Sequence, residues 1–237
     1  MKKTLQEVRE YINEGVYDPG IFKAFFLAGG PGSGKTFVTS SAFAGTGLKL
    51  VNSDIKFERD LRKANLSLKM PDEEAYFRDI IRKGAKAFVG KQLDQYLKGR
   101  LGLIIDSTAR DYSVIQRQYN LLRNIGYDCY MVFVNTSLDV ALERNSKRER
   151  SVPEYITRKS WEGVQSNIGK FQNLFGISNM VIVDNSKDDK ELTTVVMNKV
   201  GKAVRSLLSN KIMSYTAKRW MATERKLRRR WKLLKNL

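Results

Sequence analysis

Eight consecutive residues, Gly29, Gly30, Pro31, Gly32, Ser33, Gly34, Lys35 and Thr36, have the composition and spacing of a loop that wraps a phosphate. Glycine lets backbone N–H groups turn inward without Cβ clashes, and a helix starting there adds its positive dipole end. Lys35 is spaced to reach β- and γ-phosphates, and the Thr36 hydroxyl to ligate Mg2+. Asp54, after Leu50-Val-Asn-Ser53, could accept the proton of an attacking hydroxyl or merely cap the next helix. Asp106, after Leu103-Ile-Ile105, could hold Mg2+ directly or through water, or be only a turn residue. Ser107 follows it where a water-activating carboxylate would favour hydrolysis, so the pattern leans toward transfer to a bound hydroxyl. Arg144 and Arg148 share a helical face and Arg150 follows at its end. Such a cluster could neutralise a transferring phosphoryl group, or be a solvated basic face. The chain has no histidine, which excludes imidazole proton shuttles, His-based zinc sites and Ser-His-Asp triads.

The elements that must position these residues are legible as alternating patterns. Lys23–Ala28, Leu48–Ser53, Leu101–Asp106, Cys129–Asn135 and Met180–Asp184 are short apolar runs, as strands buried on both faces require. Between them, 73–98 places Phe77, Ile80, Ile81, Phe88 and Leu93 at helical spacing, and 111–124 and 137–149 behave similarly. Ser151-Val-Pro-Glu154 reads as a capping box opening a helix to about Phe175. Further helices are expected over 3–16, before a Gly-Val-Tyr-Asp-Pro-Gly turn, and near 188–208. Strand–helix alternation predicts a three-layer α/β fold with right-handed crossovers.

With 237 residues, 42% of them hydrophobic, the chain is long enough for one sizeable domain with appendages. It has no apolar run long enough to span a membrane, and its first residues lack the apolar core of a signal peptide. A single cysteine, Cys129, precludes an intramolecular disulfide and fits a reducing cytoplasm. The net charge of +18 favours a polyanionic partner. Residues 209–237 carry ten basic residues against one acid, Glu224, so half of that excess lies in the last eighth of the chain.

Taken together, the Gly29–Thr36 loop, Asn52-Ser-Asp54, Ile105-Asp-Ser-Thr108 and the Arg144…Arg148-x-Arg150…Val-Pro hairpin resemble small P-loop kinases. More narrowly they resemble the polynucleotide 5′-hydroxyl kinase and zeta-toxin group, including similar proteins of tailed phages. The resemblance spans roughly 22–186 and implies a five-stranded parallel sheet in the order 2-3-1-4-5. With the flanking helical patterns, the chain divides into residues 1–20 as a helix and turn, 21–208 as the kinase-like domain with a lid over about 143–153, and 209–237 as a basic amphipathic helix. It matches Asp54 to the catalytic base and Lys35 with Arg144, Arg148 and Arg150 to the transition-state clamp. Lys56 then falls where an acceptor phosphate could bind, with Thr108 and Arg110 as further acceptor-side candidates, and Asn185 on the loop bordering adenine.

The expected activity is Mg2+·ATP-dependent transfer of a γ-phosphate to a hydroxyl of a nucleic acid or nucleotide. Two alternatives are a zeta-toxin-like sugar-nucleotide kinase and an ATP-binding phage structural or host-interaction protein with little catalysis. The corresponding location is the cytoplasm, that of an infected host cell included, or the virion.

In the tail, Met213, Ala217, Trp220, Leu227, Trp231 and Leu234 form an apolar stripe opposite an intensely basic side. That stripe could pack on the protein's own core or a protein partner, and the basic side could follow a nucleic acid; a bilayer surface fits least.

Overall fold

In the computed structural model, residues 16–186 and 190–235 are described. The helix expected over 3–16 lies outside them except for Val16, which is in a turn. Five parallel strands, β1 (Lys23–Ala28), β2 (Lys49–Val51), β3 (Leu103–Asp106), β4 (Asp128–Asn135) and β5 (Met180–Asp184), form one sheet in the order 2-3-1-4-5. The order is the one the resemblance implies. β2 and β3 are shorter than their apolar runs: Asn52 turns the chain into a helix, and the β3 register begins at Leu103, with the Gly102 carbonyl accepting from the Lys49 N–H at 2.8 Å.

Nine α-helices are described. They are α1 (Lys35–Ala42), α2 (Ser53–Lys63), α3 (Ala75–Lys98), α4 (Tyr112–Asn124), α5 (Leu138–Ser146), α6 (Glu154–Ser166), α7 (Ile168–Phe175), α8 (Lys190–Ser209) and α9 (Tyr215–Lys235). Successive β1 side chains point to opposite faces, as a pleated strand requires. Ala24, Phe26 and Ala28 join a core built with Val89 of α3, Ile115 and Leu122 of α4, Val164 of α6, and Phe171 and Phe175 of α7. Phe25 and Leu27 join the other core with Val38 and Ala42 of α1 and Met197, Val200 and Val204 of α8. This two-sided burial is why the strands read as continuous apolar runs rather than alternating ones. A third, smaller cluster of Phe57, Leu61 and Ala85 ties α2 to α3.

Three sequence expectations change. The helix expected from 154 to about 175 is broken at Asn167, whose side chain donates to the Arg110 carbonyl at 2.9 Å and the Ala109 carbonyl at 3.4 Å. The capping box does not form: Pro153 precedes α6 and no side chain caps it. On α3 the periodicity marks a helix and only part of its buried face, Ile81 and Leu93 packing against the buried clusters. Phe77, Ile80 and Phe88 are exposed, while Ala85 and Val89 face inward.

The tail is docked. Lys23, at 1% exposure, donates from Nζ to Asp128 Oδ2 at 2.9 Å and to the Asn210 carbonyl at 2.7 Å, gripping the link between α8 and α9. Ala217 is fully buried against Gly126, and Trp220 meets Phe22 edge-on at 5.5 Å. Met213 and Leu227, expected on the same stripe, are exposed. Met213 precedes the helix, and Leu227 is exposed although it lies two turns beyond Trp220 on the same side. The descriptions of Trp231 and Leu234 stop at the backbone. Trp220→Ala is expected to cost about 2 kcal/mol, less than a fully buried aromatic. Urea unfolding checks it; a change within experimental error would mean that α9 contributes nothing to the fold.

Candidate active site

β1 runs directly into the glycine loop, and the backbone there demands glycine. Gly32 has φ +80° and Gly34 φ +94°, both in the left-handed region. At Gly32 a Cβ would overlap the carbonyl of Ala141 on α5. Gly34 precedes α1 without a side-chain cap, so the first N–H groups of α1 remain available to an anion. Behind the loop, the Ser33 carbonyl accepts from Thr136 Oγ1 at 3.2 Å and Asn185 Nδ2 at 2.8 Å. Arg144 Nη1 donates to the Asn185 carbonyl at 2.8 Å. Trp161, whose Nε1 donates to the Thr136 carbonyl at 2.7 Å, lies against Gly30. Arg144 and Asn185 therefore meet behind the phosphate loop and brace it.

In front of the loop the strand ends bring together Lys35, Asp54 and Asp106. Lys35 Nζ donates to the Gly29 carbonyl at 2.5 Å and the Gly30 carbonyl at 3.3 Å. Burial lowers its pKa; Asp106 and Asp54 oppose that, while Arg148 and Arg150 add to it. Asn52 caps α2: its Oδ1 accepts from the Asp54 N–H at 2.6 Å, and its Nδ2 donates to Asp106 Oδ2 at 2.6 Å. Because Asn52 has the capping role, the Asp54 carboxylate is committed elsewhere.

That carboxylate lies between two guanidiniums. Arg82 of α3 donates to Oδ1 at 2.5 Å, and Arg150 of the lid pairs with Oδ2 at 3.2 Å. Burial alone would raise the pKa of Asp54, but Arg150 and Arg82 together hold it below the ordinary carboxylate range. Asp106 moves the other way. Burial pushes it up, Lys35 opposes, and Asp54 adds to the rise. Asp106 Oδ1 is buried with no hydrogen-bond partner, as are Ser33 Oγ and Ser107 Oγ. An orphaned carboxylate oxygen is costly to bury and suits a cation ligand. The fit is to Mg2+ held by few protein groups and several waters. Among the described residues no group of three or more carboxylates or thiols could form a fuller cage.

The segment between α5 and α6, expected as a lid, is fastened to α2 and to the chain after it. Arg150 Nε reaches Glu58 at 3.5 Å, Glu149 pairs with Arg62 at 2.7 Å, and Lys69 Nζ donates to the Arg148 carbonyl at 2.9 Å. Asn145 staples the lid's base, donating to the Val152 carbonyl at 2.6 Å and accepting from the Val152 N–H at 3.1 Å. The charge of Arg148 acts on both Lys35 and Asp106.

Two acceptor-side candidates, Lys56 and Arg110, are placed apart from this group, whereas Thr108 borders the glycine loop. Lys56 pairs with Asp60 one turn along α2 and lies over the Phe88 ring. Arg110 is exposed, its carbonyl engaged by Asn167. The Thr108 carbonyl accepts from the Gly29 N–H at 3.3 Å. Sequence reasoning missed Arg82 and Asn52. Asn before Ser-Asp at a strand end carried a capping signal, but nothing in α3 distinguishes Arg82 from its neighbouring cations.

Among solved structures the chain is similar to a candidate kinase from Chloroflexus aurantiacus, at TM-score 0.55 and 18% identity over 78% of this chain and 97% of that one. It is also similar to a chain of the AvrRxo1-ORF1:ORF2 complex in native form, at TM-score 0.55 and 13% identity over 91% and 88% of the two chains. The same complex with ATP gives TM-score 0.55 and 12% identity over 77% and 63%. At such identities the likeness establishes the fold alone. A search of curated protein sequences gives no match. No helix among the described residues is long and apolar enough to cross a membrane. The profile of the AAA domain matches residues 25–170, more than half of the chain, from β1 through the glycine loop, both aspartates and the lid arginines. With its 2-3-1-4-5 sheet and glycine loop, the chain belongs to the AAA-domain family and has a P-loop kinase-like fold.

Proposed function

We propose that the protein is an ATP-dependent phosphotransferase that moves the γ-phosphate to a hydroxyl of a nucleotide or nucleic acid. The observation that carries this reading is the Asp54 carboxylate, held ionised between Arg82 and Arg150 beside Lys35 and Asp106. The loop N–H groups and Lys35 hold the β- and γ-phosphates, Lys35 exchanging loop carbonyls for phosphate oxygens. The acceptor oxygen forms a bond to the γ-phosphorus as the bond from that phosphorus to the β–γ bridging oxygen breaks. The proton passes to Asp54, and ADP leaves with the bridging oxygen's charge. Arg148 and Arg150 stabilise the transferring group, a role in which guanidiniums are worth most. Thr36 and Asp106 would hold Mg2+, which supplies charge neutralisation at the phosphates. Arg144 and Asn185 take part by bracing the loop.

An acceptor bearing its own phosphate suits the basic surroundings of Asp54, where Arg82 and Arg150 flank it and Lys69 and Arg78 lie on adjoining segments. The test is γ-phosphate transfer from labelled ATP to 5′-hydroxyl DNA, 5′-hydroxyl RNA, nucleosides and UDP-sugars. Label in a nucleic-acid arm is expected, and label in the nucleoside arm alone would remove the acceptor's phosphate from the reading. Label only in UDP-sugar would replace the acceptor class, and ATP binding with no labelled product in any arm would overturn the enzyme reading.

Arg82→Gln should separate a base from a bystander. Asp54 is faced by Arg82 from α3, Arg150 from the lid, Lys35 from the glycine loop and Asp106 from β3. A base works only when ionised, and its lowered pKa keeps the wild-type rate up as pH falls through the ordinary carboxylate range. Removing Arg82 raises that pKa, so the acid limb of kcat/KM should move to higher pH. An unmoved limb would remove Asp54 as the titrating group. By linkage, the ion pairs stabilise the fold above the unfolded-state pKa, and that contribution disappears as pH falls through the lower folded-state value.

A further inference from the structure

We propose that the outward face of α9 is a second, non-catalytic binding surface for duplex nucleic acid, engaged through the phosphate backbone. Its position separates it from phosphoryl transfer. Phe22 and Gly126, against which Trp220 and Ala217 pack, precede β1 and β4, whereas the glycine loop follows β1. In a parallel sheet these are opposite ends, so the charge of α9 serves a different ligand from the one at Asp54.

The docking contacts fix which side of α9 faces out. Ala217, Trp220, Met221, Glu224 and Arg228 are buried or half-buried, and Glu224 pairs with Arg228 at 3.2 Å. The single acid of the tail is thereby spent on an inward-side cation. Lys218, Arg219, Arg225, Lys226, Arg229 and Arg230 are exposed, and among the described residues none has an acidic partner. At roughly 100° per residue they form two adjacent rows, 218, 225 and 229 on one flank and 219, 226 and 230 along the outward centre, over about 18 Å of helix. The array is anchored at the helix's base, where Lys23 donates to the Asn210 carbonyl at 2.7 Å. Arg100, Arg123 and Lys211 extend the positive surface at the same end. Arg100 lies over the Phe22 ring, Arg123 reaches Asp128 at 3.4 Å, and Lys211 is exposed next to Asn210.

Charge complementarity selects the occupant. A duplex offers one negative charge per about 1.7 Å of axis along two walls. Its major groove, about 12 Å wide, admits a helix that carries adjacent rows of cations on its outward side. Contacts of this kind position a protein without reading bases, so the binding should be independent of sequence. A bilayer would need an apolar side to insert, and Trp220 and Ala217 are already packed on the core.

The test uses the full chain and a labelled 20-base-pair duplex of mixed sequence, with no nucleotide present, so its result does not depend on the kinase reading. Six phosphate contacts should make affinity fall about 10³-fold between 50 and 200 mM salt. Changing all six residues to Gln should flatten that slope and abolish binding at 50 mM. Exchanging Arg219, Arg225, Arg229 and Arg230 for Lys should retain it, and thermal melts confirm that both variants fold. An unchanged slope in the six-fold variant would overturn the proposal. So would binding of polyglutamate or of phosphatidylserine vesicles as tightly as duplex at equal salt.

Discussion

Asp54→Asn is expected to lower phosphoryl transfer by about 10²–10⁴-fold, the usual contribution of a positioned base, with ATP affinity held within a few-fold. The amide keeps the volume of the carboxylate and can still be approached by Arg82 and Arg150, so the lid should stay fastened through Glu58 and Arg62. What is lost is the charge that takes the acceptor's proton and fixes its hydroxyl in line with the γ-phosphate. Removing a negative charge near Lys35 should leave the phosphate-binding groups at least as attractive to ATP. The informative pair of measurements is single-turnover transfer and nucleotide affinity on the same preparation. A variant that transfers at near wild-type rate would show that the reaction runs without Asp54. Equal loss of transfer and of ATP binding would assign Asp54 to nucleotide binding.

Gly32→Ala is expected to be the most damaging single methyl in the protein. Two costs add. Its φ of +80° places an L-residue in the left-handed region, for about 1–2 kcal/mol. The new Cβ also overlaps the Ala141 carbonyl, which is main chain on a packed helix and cannot swing aside. Overpacking of that kind costs about 1–3 kcal/mol more, so a loss near 3–4 kcal/mol is expected in urea unfolding. If the fold instead relieves the clash by moving the loop from α5, stability will fall less and ATP affinity will collapse. A variant with both properties intact would rule out the close approach of loop and α5. Gly45→Ala is a useful comparison, since Gly45 also has a positive φ but meets nothing within 4 Å, leaving only the backbone cost.

The glycine loop and the placement of Asp54 and Asp106 after strand ends were legible in the sequence because each occupies a short stretch of chain, whereas Arg144, expected in the clamp, instead meets Asn185 behind the loop. The loop needs Gly at Gly32 and Gly34 for left-handed backbone, and Lys35 and Thr36 follow at once. Continuous apolar runs marked the strands because both sheet faces are covered. Patterns that depend on which side of a helix meets the core were less reliable. Phe77, Ile80 and Phe88 repeat with helical spacing yet face solvent, and α3 buries its small residues Ala85 and Val89 instead. Ser151 and Glu154 had the spacing of a capping box, but Pro153 precedes the helix and no side-chain bond caps it.

By itself, the sequence determined the phosphate loop, the alternating α/β architecture and the division of the positive charge between body and tail. These rest on local spacing and composition, which covalent order alone supplies. Only the tertiary structure decided what each charge faces. Arg82 lies 28 positions from Asp54 and reaches it because the Phe57–Leu61–Ala85 cluster packs α3 on α2. Arg144 lies 41 positions before Asn185 and braces the loop because β4 and β5 are paired neighbours. The tail's cations face outward, away from the catalytic end, because Trp220 and Ala217 are spent on Phe22 and Gly126. Electrostatic roles depend on distance and burial across the fold, and those distances are set by packing between segments remote in the chain.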